Sequence, residues 1–162
     1  MPKAKKVRHK KYTPGRRQLG ALLGGANFPY TPKQLDDMER ALWMHAATLR
    51  TAPEEDSWLY LICMTAIFHR LSYALETQEM RRLTFAAWRN LDFAYRHWKQ
   101  QGEVLSANLN SLDDMIPAAR AMMPGFTQYE FATARDYVKK TGLVPPKEDR
   151  ECVNLLPQLQ SH

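Results

Sequence analysis

Apolar residues recur along this chain at intervals of three and four, the spacing that lines one face of an α-helix. Leu35, Met38, Leu42, His45 and Leu49 form a first stripe. Ahead of it, Thr31-Pro32-Lys33-Gln34 reads as a helix start, with Thr31 as N-cap, Pro32 at the first helical position and Gln34 closing a capping box. This helix is expected to stop near Thr51, before Pro53. A second helix should begin between Pro53 and Ser57, where Glu54, Glu55 and Asp56 suit the positive end of the helix dipole. Its apolar set (Trp58, Leu61, Ile62, Met64, Thr65, Phe68, Leu71, Leu75) covers most of its circumference, which marks it as the central helix. Thr77 is the expected cap of a third helix running to about Gln101, with Gly102 just past its end. Met80, Leu83, Ala87, Leu91, Ala94 and Trp98 form its core stripe, while Phe85, Trp88 and Tyr95 fall partly off it.

A fourth helix is expected from Ser106 to Met122 on Leu109, Leu112, Ile116 and Ala119, kinked or divided at Pro117 and ended by Pro124-Gly125. Thr127-Gln128-Tyr129-Glu130 is a second capping box. It opens a short fifth helix on Phe131, Ala134 and Val138 that stops at Gly142. Capped helices joined by short loops predict antiparallel neighbours. The expected fold is therefore all-α: an antiparallel bundle of four to five helices over residues 31–142. Residues 18–30 are expected to be a linker or short helix. Residues 143–162, without periodicity after Pro145-Pro146, are expected to be a loose C-terminal tail.

Length and composition fit this picture. A chain of 162 residues suits one domain and buries enough surface to need no disulfide or metal for folding. Cys63 lies within the apolar run LYLICMTAIF and Cys152 in a polar stretch, with no CxxC or Cys/His spacing beside either, as in a reducing cytoplasm. No apolar run approaches the length of about 20 residues that spans a bilayer. Arg16-Arg17 followed by LGALL imitates a signal peptide, but the apolar stretch is short and breaks at Gly24-Gly25. A cytoplasmic location and no membrane partner are expected.

Charge changes the picture more. Lys3, Lys5, Lys6, Arg8, Lys10, Lys11, Arg16 and Arg17 all lie in residues 1–17, which hold no acid. The rest of the chain has 15 basic against 17 acidic residues, so the whole positive excess sits in the tail. Such a block repels itself and is expected to be disordered in isolation. It is a candidate nucleic-acid contact, with Tyr12 the one stacking ring among the lysines, or else a solubilising tail. Arg82, Arg89 and Arg96 repeat every seven residues and share one face of the third helix. That face is either simply solvated or extends the basic tail onto the body.

Catalytic patterns are missing. No HExxH, P-loop, GxSxG or GxGxxG after a strand occurs. His45, His69 and His97 have Leu42, Ala66 and Ala94 three residues earlier, so the ExxH of di-iron bundles is absent as well. Each falls late in its helix, where it can answer free carbonyls. The acid pairs Asp36-Asp37, Glu54-Glu55-Asp56 and Asp113-Asp114 fall in first helical turns, where capping accounts for them. No enzyme activity, metal or cofactor is expected; a metal-dependent enzyme built on the three histidines is the remaining alternative. Trp43, Trp88 and Tyr95 are candidate partner-interface residues, filling either this core or a partner's pocket.

The basic opening that ends in KKYTP, the helix TPKQLDDMERAL, the loop TAPEEDSW and the stretch LTFAAWRNLDFAYRHWKQQGEV resemble small proteins of unknown function from bacteriophages and prophages of proteobacteria. Those proteins pair a K-K-Y-x-P-like start with a helical body that carries a Tyr/Arg…Gly turn after the third helix. In layout the similarity spans most of residues 5–142. It implies an accessory protein acting in the host cytoplasm and carries no active site. The expected function is to bind a host or phage macromolecule, as an inhibitor of a host defence or of a nucleic-acid machine; direct, sequence-non-specific nucleic-acid binding through the tail is the alternative. A homodimer is a further open expectation.

Overall fold

The computed structural model describes residues 28–76 and 78–147. The basic tail with Tyr12, most of the 18–30 segment, Thr77 and residues 148–162 lie outside the described residues.

Helix α1 spans Pro32–Thr51, and its start is the expected capping box: the Gln34 amide donates to Thr31 Oγ1 at 3.3 Å and the Thr31 amide to Gln34 Oε1 at 2.9 Å. Helix α2 spans Glu55–Ser72 and is buried on most sides. Helix α3 spans Glu79–Gln101, with Gln78 in the cap position; Gly102 ends it in the left-handed region, at φ 73°. The expected fourth helix is divided, but not at Pro117. Helix α4 (Ser106–Leu109) and helix α5 (Ser111–Met122) meet at Asn110, where i→i−3 bonds replace the α-helical ones and Ser111 Oγ donates to the Asn108 carbonyl at 2.9 Å. Pro117 is accommodated because it and Asp113, whose carbonyl a proline leaves unpaired, both lie on the exposed side of α5. A 3-10 turn, Met123–Gly125, leads to helix α6 (Gln128–Thr141), whose capping box on Thr127 and Glu130 also forms as expected.

The fold is an all-α helical bundle. Helices α1, α2, α3 and α5 pack in a closed ring, each against the next, and α6 lies outside against α2. Side chains fix the directions. His45 late in α1 meets Ser57 early in α2; His69 late in α2 meets Thr84 early in α3; Arg50 and Arg120 tie opposite ends of α1 and α5 to Asp113 and Asp36. The ring is thus up-down-up-down. Leu42, Leu49, Trp58, Leu61, Phe68, Leu91, Leu112, Met115 and Ile116 fill it, each withdrawn completely from solvent.

Two segments close the outside. Residues 28–30 cross the start of α6: Pro29 pairs with Thr127 as an isolated antiparallel bridge, the Gln128 amide donates to the Phe28 carbonyl at 3.1 Å, and Tyr30 meets Phe131 edge-on. The described part of the expected C-terminal tail, residues 143–147, lies along α3. Leu143 is half-buried, and its carbonyl accepts from Trp88 Nε1 at 2.9 Å. No described helix is long and apolar enough to cross a membrane.

Candidate functional site

Of the expected interface aromatics, Trp88 is buried, and Trp43 and Tyr95 are half-buried. Trp88 packs into the core: only 7% of it is exposed, and its indole N–H is spent on the Leu143 carbonyl. Tyr95 is half-buried among Trp58 and Trp98, with ring centroids about 6 Å apart, and its hydroxyl donates to Glu55 Oε1 at 2.8 Å. Lys99 Nζ reaches the same carboxylate at 3.0 Å. The Tyr95 hydrogen bond, then that of Lys99, holds the Glu55 carboxyl below its ordinary range, and the same bonds raise Tyr95 and Lys99. Trp43 is half-buried against the core.

The histidines do not converge. His45 stacks on Tyr60 at 4.2 Å and lies 2.9 Å from Ser57 Oγ. Ser57 donates to Glu54 Oε1 at 3.1 Å, so its oxygen accepts from the ring, and Nδ1 of His45 carries the proton. This acid–serine–histidine order differs from that of a nucleophile triad, in which the histidine takes the serine proton. Ser57 is also fully buried. His69 is buried between Tyr73, Phe85 and Trp88, with Nδ1 3.2 Å from Thr84 Oγ1. Thr84 gives its own proton to backbone carbonyls, so Nδ1 of His69 is again a donor. Among the described residues no group of three His, Cys, Asp or Glu side chains is placed to hold a metal.

The arginine face is real but mixed. Arg89 and Arg96 are exposed and Arg82 half-buried. Arg96 is paired with Asp92, four residues earlier, at 3.1 Å. Arg81, beside this face in sequence, is instead buried, its guanidinium 4.1 Å from the centre of the Tyr73 ring.

What the sequence did not single out is a band of aromatic and cationic side chains where the ends of α2 and α6 meet the flank of α3. Of the eight large apolar residues left exposed among the described residues, five lie in it: Tyr73, Phe93, Tyr129, Tyr137 and Val144. Three hollows run along the band. The first, about 420 Å³, lies between Tyr129, Arg70 and Tyr73. The second, about 280 Å³, has His69 and Trp88 in its wall and shares Arg70, Tyr73 and Tyr137 with the first. The third, about 320 Å³, lies between Arg89, Phe93, Arg96 and Lys147 and shares Val144 and Pro146 with the second. Arg70 lies between the first two hollows with its guanidinium 4.2 Å from the centre of the Tyr137 ring, and no described carboxylate forms an ion pair with it.

A signal for part of this was present. Tyr129, Thr133 and Tyr137 recur every four residues on α6, on a different face from the core stripe of Ala134 and Val138. Arg70 and Tyr73 are one turn apart at the end of α2. No protein-family model, curated protein or solved structure matches this chain.

Proposed function

We propose that this chain is a non-enzymatic accessory protein of the phage and prophage kind that acts by gripping a macromolecule of host or phage. One observation carries the reading: most of the exposed large apolar side chains of the described residues gather in a single band, interleaved with arginines. Scattered apolar residues are ordinary on a protein surface, whereas tyrosine and arginine gathered in one place form the composition of an interaction site. Phage encoding, the cytoplasmic setting and inhibition of a host defence or nucleic-acid machine are finer parts of the proposal and rest on the resemblance described above.

The test is capture on immobilised full-length protein, beside a Phe93→Ala/Tyr137→Ala double variant, from lysates of phage-infected proteobacterial host cells. A macromolecule retained by the wild type and lost by the variant supports the reading. Retention of nothing, by a protein that sediments as a monomer, overturns it; a dimer disrupted by the double variant makes a second copy the occupant.

A second reading, direct nucleic-acid contact through Lys3, Lys5, Lys6, Arg8, Lys10, Lys11, Arg16 and Arg17 together with Arg82, Arg89 and Arg96, draws on the tail charge and on exposed Arg89, which has no ion pair among the described residues. A steep fall of affinity with salt is its signature.

A further inference from the structure

We propose that the band is a track for a single-stranded nucleic acid, with bases stacked on its rings and phosphates held by its arginines. This rests on the binding reading above and names the partner class.

Continuity comes first. The second hollow shares wall residues with the first and with the third, so the three are neighbours in one row from Tyr129 to Lys147. Charge comes second. Arg70, Arg89, Arg96 and Lys147 line the path, against two carboxylates, Asp92 and Glu130. Asp92 is occupied by Arg96, and Glu130 by the cap of α6. The path therefore offers a net positive lining to an anion.

Ring placement is the third argument. Tyr129 and Tyr137 lie on the first two hollows and Phe93, 60% exposed, stands in the third, while Tyr73, whose ring carries the Arg81 guanidinium, walls the first two. A guanidinium lying on a ring keeps its N–H donors in its own plane, directed outward past the ring edge. The Arg70 guanidinium carbon lies 4.2 Å from the centre of the Tyr137 ring, which sets a cation beside an aromatic surface. An apolar peptide would leave Arg70, Arg89 and Lys147 unanswered, and an acidic peptide would leave the rings unused. A duplex presents phosphates but keeps its base faces stacked inside. A single strand offers both, and every base has a face to stack, whatever the sequence.

The test is fluorescence anisotropy with a labelled twelve-nucleotide oligo-dT, the matching oligo-U and a hairpin duplex of equal phosphate count, titrated with the full chain. Single strands are expected to bind more tightly than the duplex. Phe93→Ala and Tyr137→Ala are each expected to weaken single-strand binding about tenfold while leaving duplex binding within about twofold, because the duplex is held by charge alone. Tyr137→Phe should bind as the wild type does. Phe93 is largely exposed on α3, so its variant tests the idea even if Tyr137→Ala loosens α6. Equal affinity for single strand and duplex, or single-strand affinity unmoved by both alanine variants, overturns the proposal. So does failure of every oligonucleotide to bind. In that case capture of a protein by the wild type but not the double variant keeps the binding reading and replaces the nucleic acid with a protein partner.

Discussion

Thr65 is fully buried in α2, and its hydroxyl has no hydrogen-bond partner among the described residues. A buried hydroxyl in that state has lost its water without compensation. Thr65→Val keeps the branched shape and removes the polar atom, so it is expected to raise stability by about 1 kcal/mol, read as a higher urea midpoint at unchanged m-value. A lower midpoint would show that the hydroxyl is satisfied after all. Glu55 poses the opposite case, with both its partners seen. Its carboxyl is depressed by Tyr95 and Lys99, so that contribution is present above the ordinary carboxylate range and is lost as pH falls through the depressed value. Tyr95 and Lys99 are raised, chiefly by their bonds to Glu55, so their share is present below the ordinary phenol and ammonium range and is lost as pH rises through the raised values. The stability difference between wild type and Glu55→Gln should therefore be largest near neutrality and shrink at both ends of a series from about pH 3 to about pH 11. A difference that stays flat through the acid limb would remove Glu55 from the account. Sequence showed which residues of this cluster were aromatic or charged but not whom they meet. Tyr95 and Glu55 are forty residues apart, and only the antiparallel run of α2 against α3 brings them together.

Helix starts and stops were the most legible feature, because their chemistry is local. Thr31 with Gln34 and Thr127 with Glu130 satisfy free amides within four residues, and no distant contact is needed to recognise them. Substituting Thr127→Ala is expected to cost about 1 kcal/mol in chemical denaturation. At Gly102 a Cβ would meet nothing within 4 Å, so any cost of Gly102→Ala comes from the positive φ itself, again about 1 kcal/mol. Gly102→Asn should cost visibly less, since asparagine tolerates that region; an alanine variant as stable as the wild type would mean that the helix end rearranges. The break in the fourth helix was misplaced for an instructive reason. Proline is a visible breaker, but an exposed one can be absorbed by hydration, whereas the Ser111 hydroxyl takes a backbone carbonyl, that of Asn108, directly. The band was harder to read. Its rings sit on α3, on α6 and just past the end of α2, and each is merely an off-stripe residue until the bundle sets α6 across α2.

At the scale of the whole molecule, charge is divided. Residues 28–147 hold 14 basic and 14 acidic residues and are neutral as a body, while eight cations stand in residues 1–17. Tail and band would do different work on a single strand. The tail supplies long-range attraction that salt screens, and the band supplies base stacking that salt affects little. Each phosphate neutralised on a single strand contributes about 0.7 to the fall of log affinity against log salt. With all eight tail cations engaged, the tail accounts for a slope of about 6, and the four cations of the band for at most about 3. Replacing the eight basic residues of 1–17 by glutamine in the full chain is therefore expected to flatten the salt dependence to about 3 or less. The preference for single strand over duplex should survive that change, since the rings that confer it lie in the band. Anisotropy at four salt concentrations on both substrates reads slope and preference together. If the neutralised chain loses its single-strand preference along with its slope, the tail is the reader and the band only accompanies it. If both remain as in the wild type, the tail is idle, and the charge segregation that stood out first in the sequence has no part in this binding.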